Sequence, residues 1–177
     1  MVLALTPARF ETTDGKNTNK VEMQPEELQV MKGGWPHKTI NTGDTPLRLL
    51  EIVLLEKLDP EHAVCGLAAR SCRGGEIGNE IGQYTEAQLF ETGAAILDKL
   101  EMSAGSEIAP TEHKRDALMI ATTPIELQVS EPVADTQPKV TELKLNPGGV
   151  MWFVAGTKSG FKNIGKNDAR FLMLELK

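Results

Sequence analysis

Aromatic side chains are scarce: Phe, Trp and Tyr make up 5% of the 177 residues. A core must therefore be built mainly from Leu, Ile, Val, Met and Ala. Basic residues are outnumbered, 19 Lys and Arg against 25 Asp and Glu, for a formal net charge of −6. That balance argues against a general nucleic-acid binder, which needs clustered Lys and Arg to neutralise phosphates. Long apolar runs are missing as well. "LRLLEIVLLEKL" (47–58) falls short of the roughly 20 residues of a membrane-spanning helix and is interrupted by Glu51 and Glu56. The first 15 residues carry neither the basic start nor the long apolar stretch of an ordinary signal peptide. Only two cysteines occur, Cys65 and Cys72. They exclude a disulfide framework yet allow one bridge or two free thiols, so the compartment stays open, with the cytoplasm slightly favoured. His62 beside them gives three zinc donors but no evident fourth.

What the chain does have is an internal repeat. Setting Pro25 against Pro147, an offset of 122, aligns Gly34 with Gly156, Asn41 with Asn163, Gly43 with Gly165 and Arg48 with Arg170. Upstream, "MVLALTP" (1–7) aligns with "LMIATTP" (118–124) at an offset of 117. The five-residue difference falls in a polar loop, where length changes are tolerated.

Each repeat reads as β. "KVTELKL" (139–145) alternates with one slip, "RFLMLEL" (170–176) reads as a buried strand, and "DTPL" (44–47) and "NPGG" (146–149) carry turn chemistry. "TEAQLFETGAAILDKL" (85–100) suits an amphipathic helix interrupted by Gly93, or a strand beginning near Ala95. Residues 59–84, Gly-rich and aperiodic, read as a long connection with one short helix. Trp152, in an apolar run, reads as core, and Trp35, beside Pro36 and His37, as the edge of a pocket.

Short strands joined by Gly/Pro turns, together with "KGGWPHKTIN" (32–41), resemble the cupin superfamily (RmlC-like). Gly34, His37 and Asn41 keep the spacing of its second motif, with Lys32 in place of the proline. In the second repeat Gly148, Gly156 and Asn163 match, while Ser159 stands where the histidine belongs and Val154 where the proline belongs. The first motif keeps Gly105 and His113, while Thr111 stands where its first histidine belongs and Asp116 falls one residue short of the acidic position, which is Ala117. The resemblance implies an all-β double-stranded β-helix, a jelly-roll barrel in two units. The first unit spans 1–58 and is incomplete at its start, 59–84 connects, and 85–177 forms a second unit with degenerate motifs. The counterpart of His113 in the first unit would fall at position −4, so the chain is expected to start inside that unit.

Residues two apart in a strand share a face, which groups His37, Thr39 and Asn41, Thr111 and His113, and Ser159, Phe161 and Asn163. A phenylalanine at 161 would fill the space of a ligand. Cupin chemistry implies a divalent transition metal, iron, manganese, nickel or zinc, held by imidazoles and a carboxylate. The candidate ligands are His37, His113 and Asp116, and the candidate pocket residues Trp35, Thr39, Thr111 and Ser159. Neither unit keeps two histidines, and hydroxyls are poor substitutes for imidazole. No catalytic residue is assigned. The leading expectation is a small-molecule-binding barrel with little or no catalysis. The alternatives are a metal-dependent dioxygenase or isomerase completed by residues absent from this chain, and a structural or interaction protein with a filled barrel. Neither nucleic acid nor membrane is expected as a partner. An incomplete unit leaves strand edges exposed, which implies a homodimer.

Overall fold

The computed structural model describes residues 1–29, 36–54, 79–81, 83–134 and 137–177, and among these there is no helix. The two cysteines, His62, Trp35 and the helix expected in the connection lie outside the described residues. The chain divides into two units, Met1–Leu55 and Glu56–Lys177. The sixteen strands among the described residues are the consequence of period-2 alternation broken by Gly, Pro and Asx turns.

In unit 1, β1 (Val2–Ala4) lies between β4 (Leu28–Gln29) and β6 (Leu49–Glu51), and β2 (Ala8–Thr13) lies between β3 (Thr18–Met23) and β5 (Lys38–Asn41). Val2, Ala4, Ala8, Phe10 and Met23 form its core.

Unit 2 contains β7 (Asn79–Ile81), β8 (Tyr84–Glu91), β9 (Ala95–Met102), β10 (Glu107–Glu112) and β11 (Ala117–Ala121). It continues with β12 (Ile125–Glu131), β13 (Lys139–Leu145), β14 (Val150–Phe153), β15 (Lys158–Asn163) and β16 (Ala169–Leu176). One sheet runs β14-β11-β16-β9-β8-β7, the other β10-β15-β12-β13. From β9 onward the chain crosses repeatedly between the two antiparallel sheets, which makes unit 2 a double-stranded β-helix of the cupin, jelly-roll type. Its core joins both sheets through Met102, Met119, Leu127, Val129, Phe153, Phe161 and Phe171.

Unit 1 pairs its strands in the registers of β11 to β16. Adding 117 to β1 and β2, and 122 to β3 through β6, turns Leu3↔Leu50 into Ile120↔Leu172 and Thr12↔Thr39 into Val129↔Phe161. It likewise turns Phe10↔Val21 into Leu127↔Leu143. The turn before β4 corresponds too: Glu26, at φ 70°, takes the left-handed place of Gly148, at φ 85°. A glutamate there is strained where the glycine is not.

The units differ at their edges. β15 pairs with β12 and β10, and β16 with β11 and β9, whereas among the described residues β5 pairs with β2 alone and β6 with β1 alone. Gly160 in β15 allows a close approach, since a Cβ there would sit 2.8 Å from the nitrogen of Pro110. The β10–β15 register shifts between Ile108 and Thr111, around that proline. Proline has no N–H for the ladder, so a bulge is the natural outcome. Lys38 holds the matching position in β5, so a strand cannot approach β5 as β10 approaches β15.

Three expectations are decided or changed. Of the two readings of residues 85–100, the strand beginning at Ala95 holds and the helix does not, β8 and β9 forming a hairpin: Thr92 Oγ1 accepts from the backbone N–H groups of Ala94 (3.2 Å) and Ala95 (3.0 Å), fixing a turn at Gly93. Trp152 is 47% exposed, because on β14 the neighbouring Phe153 takes the inward place. The stretch read as connection also contains β7.

The Asn-x-Gly turns carry the same bonds in both units, with different burial. Asn163 Nδ2 donates to Asn167 O and to Met102 O, each at 2.9 Å, and its Oδ1 accepts from Gly165 N at 3.0 Å. Asn41 keeps the bonds to Thr45 O and Gly43 N but is exposed. Asn163→Ala is expected to cost about 3 kcal/mol, since it strands buried backbone groups, and Asn41→Ala about 1 kcal/mol or less. Urea unfolding of the two variants checks the difference.

Candidate functional site

The resemblance directs attention to the inner face of unit 2 where β10 ends. Thr111 is paired directly with Ser159 across β10 and β15. His113 follows two residues later, held by its own N–H donating to Thr157 O (2.9 Å) and its carbonyl accepting from Gly156 N (2.7 Å). Gly156 has φ 81°, which suits a residue without a Cβ at this turn. The structure thus brings Thr111, His113 and Ser159 together.

His113 Nε2 lies 2.6 Å from Ser159 Oγ, and Ser159 is only 3% exposed. The imidazole stacks on Phe153 at 4.8 Å between centroids. Phe153 meets Phe161 edge-on at 5.5 Å, and Phe161 reaches Phe171 at 6.3 Å. Burial pushes His113 below its ordinary pKa, and the negative charge of Glu175 pulls part of the way back. The neutral ring is therefore favoured, a hydrogen-bonding partner for a hydroxyl rather than a cation.

Asp116 does another job. Its Oδ1 accepts from Ala155 N at 2.8 Å, closing the link after β14, and its carbonyl accepts from Leu176 N. Ala117, at the acidic position of the family pattern, is buried in the core. In unit 1, His37 and Thr39 sit at the positions of Ser159 and Phe161, exposed among the described residues.

A transition metal needs about three donors converging on one point. Among the described residues no three His, Cys, Asp or Glu side chains do so. In unit 2 the His113 Nε2 already faces Ser159 and the Asp116 carboxylate faces a backbone amide, so these donors do not fit a metal. Any site using His37 requires donors from outside the described residues. The inner face instead holds apolar rings. A polar groove of about 530 Å³ in unit 2 lies near the β9–β10 turn, lined by residues including Tyr84, Thr85, Glu101, Ser103 and Ser106. It sits at the end of β10 away from His113.

Sequence reasoning missed three inward carboxylates, Glu86, Asp98 and Glu175. Reading 85–100 as a hairpin and applying the two-residue alternation would have placed Glu86 and Asp98 on one face; Glu175 joins them only through the pairing of β16 with β9.

No protein-family model matches the chain, and no curated protein matches it. Among solved structures it is similar to a cupin domain from Bordetella pertussis, at 15% identity over 56% of this chain and 99% of that one, with a TM-score of 0.49. It is also similar to the Drosophila melanogaster CENP-C cupin domain, at 16% identity over 57% of this chain and 74% of that one (TM-score 0.46). The Schizosaccharomyces pombe Cnp3 cupin domain shares 21% identity over 56% of this chain and 64% of its own length (TM-score 0.45). The fold assignment itself rests on the strand pairing described above.

Proposed function

We propose that this chain is a non-catalytic bicupin-like scaffold, unit 1 being the structural copy of the β11–β16 half of unit 2. One observation carries the reading: the inner face of unit 2 is filled by Phe153, Phe161 and Phe171, and capped by His113 bonded to Ser159. This favours the interaction protein over the small-molecule barrel that the sequence first suggests. The scaffold works by self-association into a homodimer, for which β6, paired with β1 alone among the described residues, offers the edge. Lys38 guards the edge of β5 in the way edge lysines discourage pairing. A second reading keeps a metal-dependent site in unit 1, favoured by His37 standing at the repeat position of Ser159, two residues before Thr39, which pairs with the buried Thr12.

Elemental analysis of the purified chain, with His113→Ala and His37→Ala alongside, tests these readings. The scaffold predicts no stoichiometric iron, manganese, nickel or zinc in any of the three. Metal lost only in His37→Ala would establish the second reading, and metal lost in His113→Ala would overturn the proposal for unit 2. In light scattering at high micromolar concentration a dimer mass is expected, and a well-behaved monomer would contradict self-association.

A further inference from the structure

Three carboxylates face the inside of unit 2 from three neighbouring strands. Asp98 on β9 shares its face with Leu100 and Met102 of the core, and pairs across to Met173 on β16 and Gln88 on β8. Glu175 lies two residues beyond Met173, and Glu86 pairs with Leu100, so both carboxyl groups point to Asp98's side. The ladder of β8 and β9 is irregular at this level, its register shifting between Gln88 and Phe90. A bulge leaves a residue unpaired and weakens the ladder locally.

The surrounding charges give Asp98 no relief. On β8, Glu86 and Glu91 act on it, and on β16, Glu175; all are negative. Among the described residues the nearby cations pair with two of those carboxylates and not with Asp98, Arg115 with Glu175 at 3.5 Å and Lys177 with Glu91. Tyr84, also on β8, is held in its neutral form by burial and by Glu86. His113 is kept toward its neutral form by burial. Burial first, then the three carboxylates, push Asp98 up to about 7, and burial with Glu175 raises Glu86 as well.

We propose that the β8–β9 ladder is a pH-responsive seam in the unit 2 sheet, closed while the Asp98 carboxyl carries a proton and loosened when like charges face one another across β8, β9 and β16, with β9 staying paired to β16. The sign follows from linkage. A closed hairpin binds the Asp98 proton more tightly than an opened one, where the group returns to its ordinary value of 3.8. Closure is therefore favoured at low pH. Opening grows as pH rises from about 4 to about 7 and levels off above that.

Hydrogen exchange read by mass spectrometry on peptides spanning 84–91, corrected for the intrinsic pH dependence of exchange, tests the seam. Between about pH 5 and pH 8 the opening constant of the wild-type hairpin is expected to rise about tenfold, after allowing for solvent screening. Peptides from β11 and β12 should stay protected. Asp98→Asn should remove most of the rise, leaving only the share of Glu86, and Glu86→Gln, which removes one of the opposing charges, should reduce it. A wild-type hairpin without the rise, or an Asp98→Asn variant that keeps it, would overturn the proposal.

Discussion

Phenyl rings from three successive strands meet between the sheets of unit 2: Phe153 on β14, Phe161 on β15 and Phe171 on β16. They are three of only five phenylalanines in the chain, and the other core residues around them are mostly aliphatic or Met. Because β14 and β16 belong to one sheet and β15 to the other, their contact is also the contact between the sheets. Close-packed rings of this size leave a ligand little room, and displacing one exposes the others to solvent. His113 stacks on the outermost ring and turns its Nε2 to Ser159, so polar groups seal the same column.

Unit 1 shows what the backbone ladder does without those rings. Its registers are those of β11 to β16, yet Thr39 stands at the place of Phe161, Leu49 at that of Phe171 and Lys38 at that of Gly160. The hydrogen-bonded turn survives the change, since Asn41 and Asn163 hold the same following loop. What differs is burial. Asn163 also reaches Met102 on β9, and among the described residues unit 1 has no strand in that position. Backbone pairing sets where side chains point, and the fill of the inner face decides what the unit can do.

Much of this was legible in the residues. Strand alternation has a period of two, so placing Ser159, Phe161 and Asn163 on one face needed only the strand, and the offset of 122 carried the shared face, but not its burial, to His37, Thr39 and Asn41. The hairpin at 84–102 was hidden because Gly93 and its neighbours also fit an interrupted amphipathic helix; the hydroxyl of Thr92, bonding to Ala94 and Ala95, decides it. Trp152 looked like core by composition, but exposure depends on which face of β14 it takes. The convergence of Glu86, Asp98 and Glu175 depends on pairing between strands far apart in sequence, which no local pattern shows. Asp116 matched the family pattern to within one residue, and that residue sends its carboxylate to the amide of Ala155.

The central claim, that rings occupy the space where a barrel of this type could hold a ligand, is open to a direct test with Phe161→Ala. An apolar cavity left by a deleted ring stays dry and accepts small apolar molecules. Thermal unfolding with and without benzene should show no benzene-dependent stabilisation of the wild-type chain and a clear one for the variant. A wild-type chain stabilised by benzene as much as the variant would contradict the account, because the interior would then already be open.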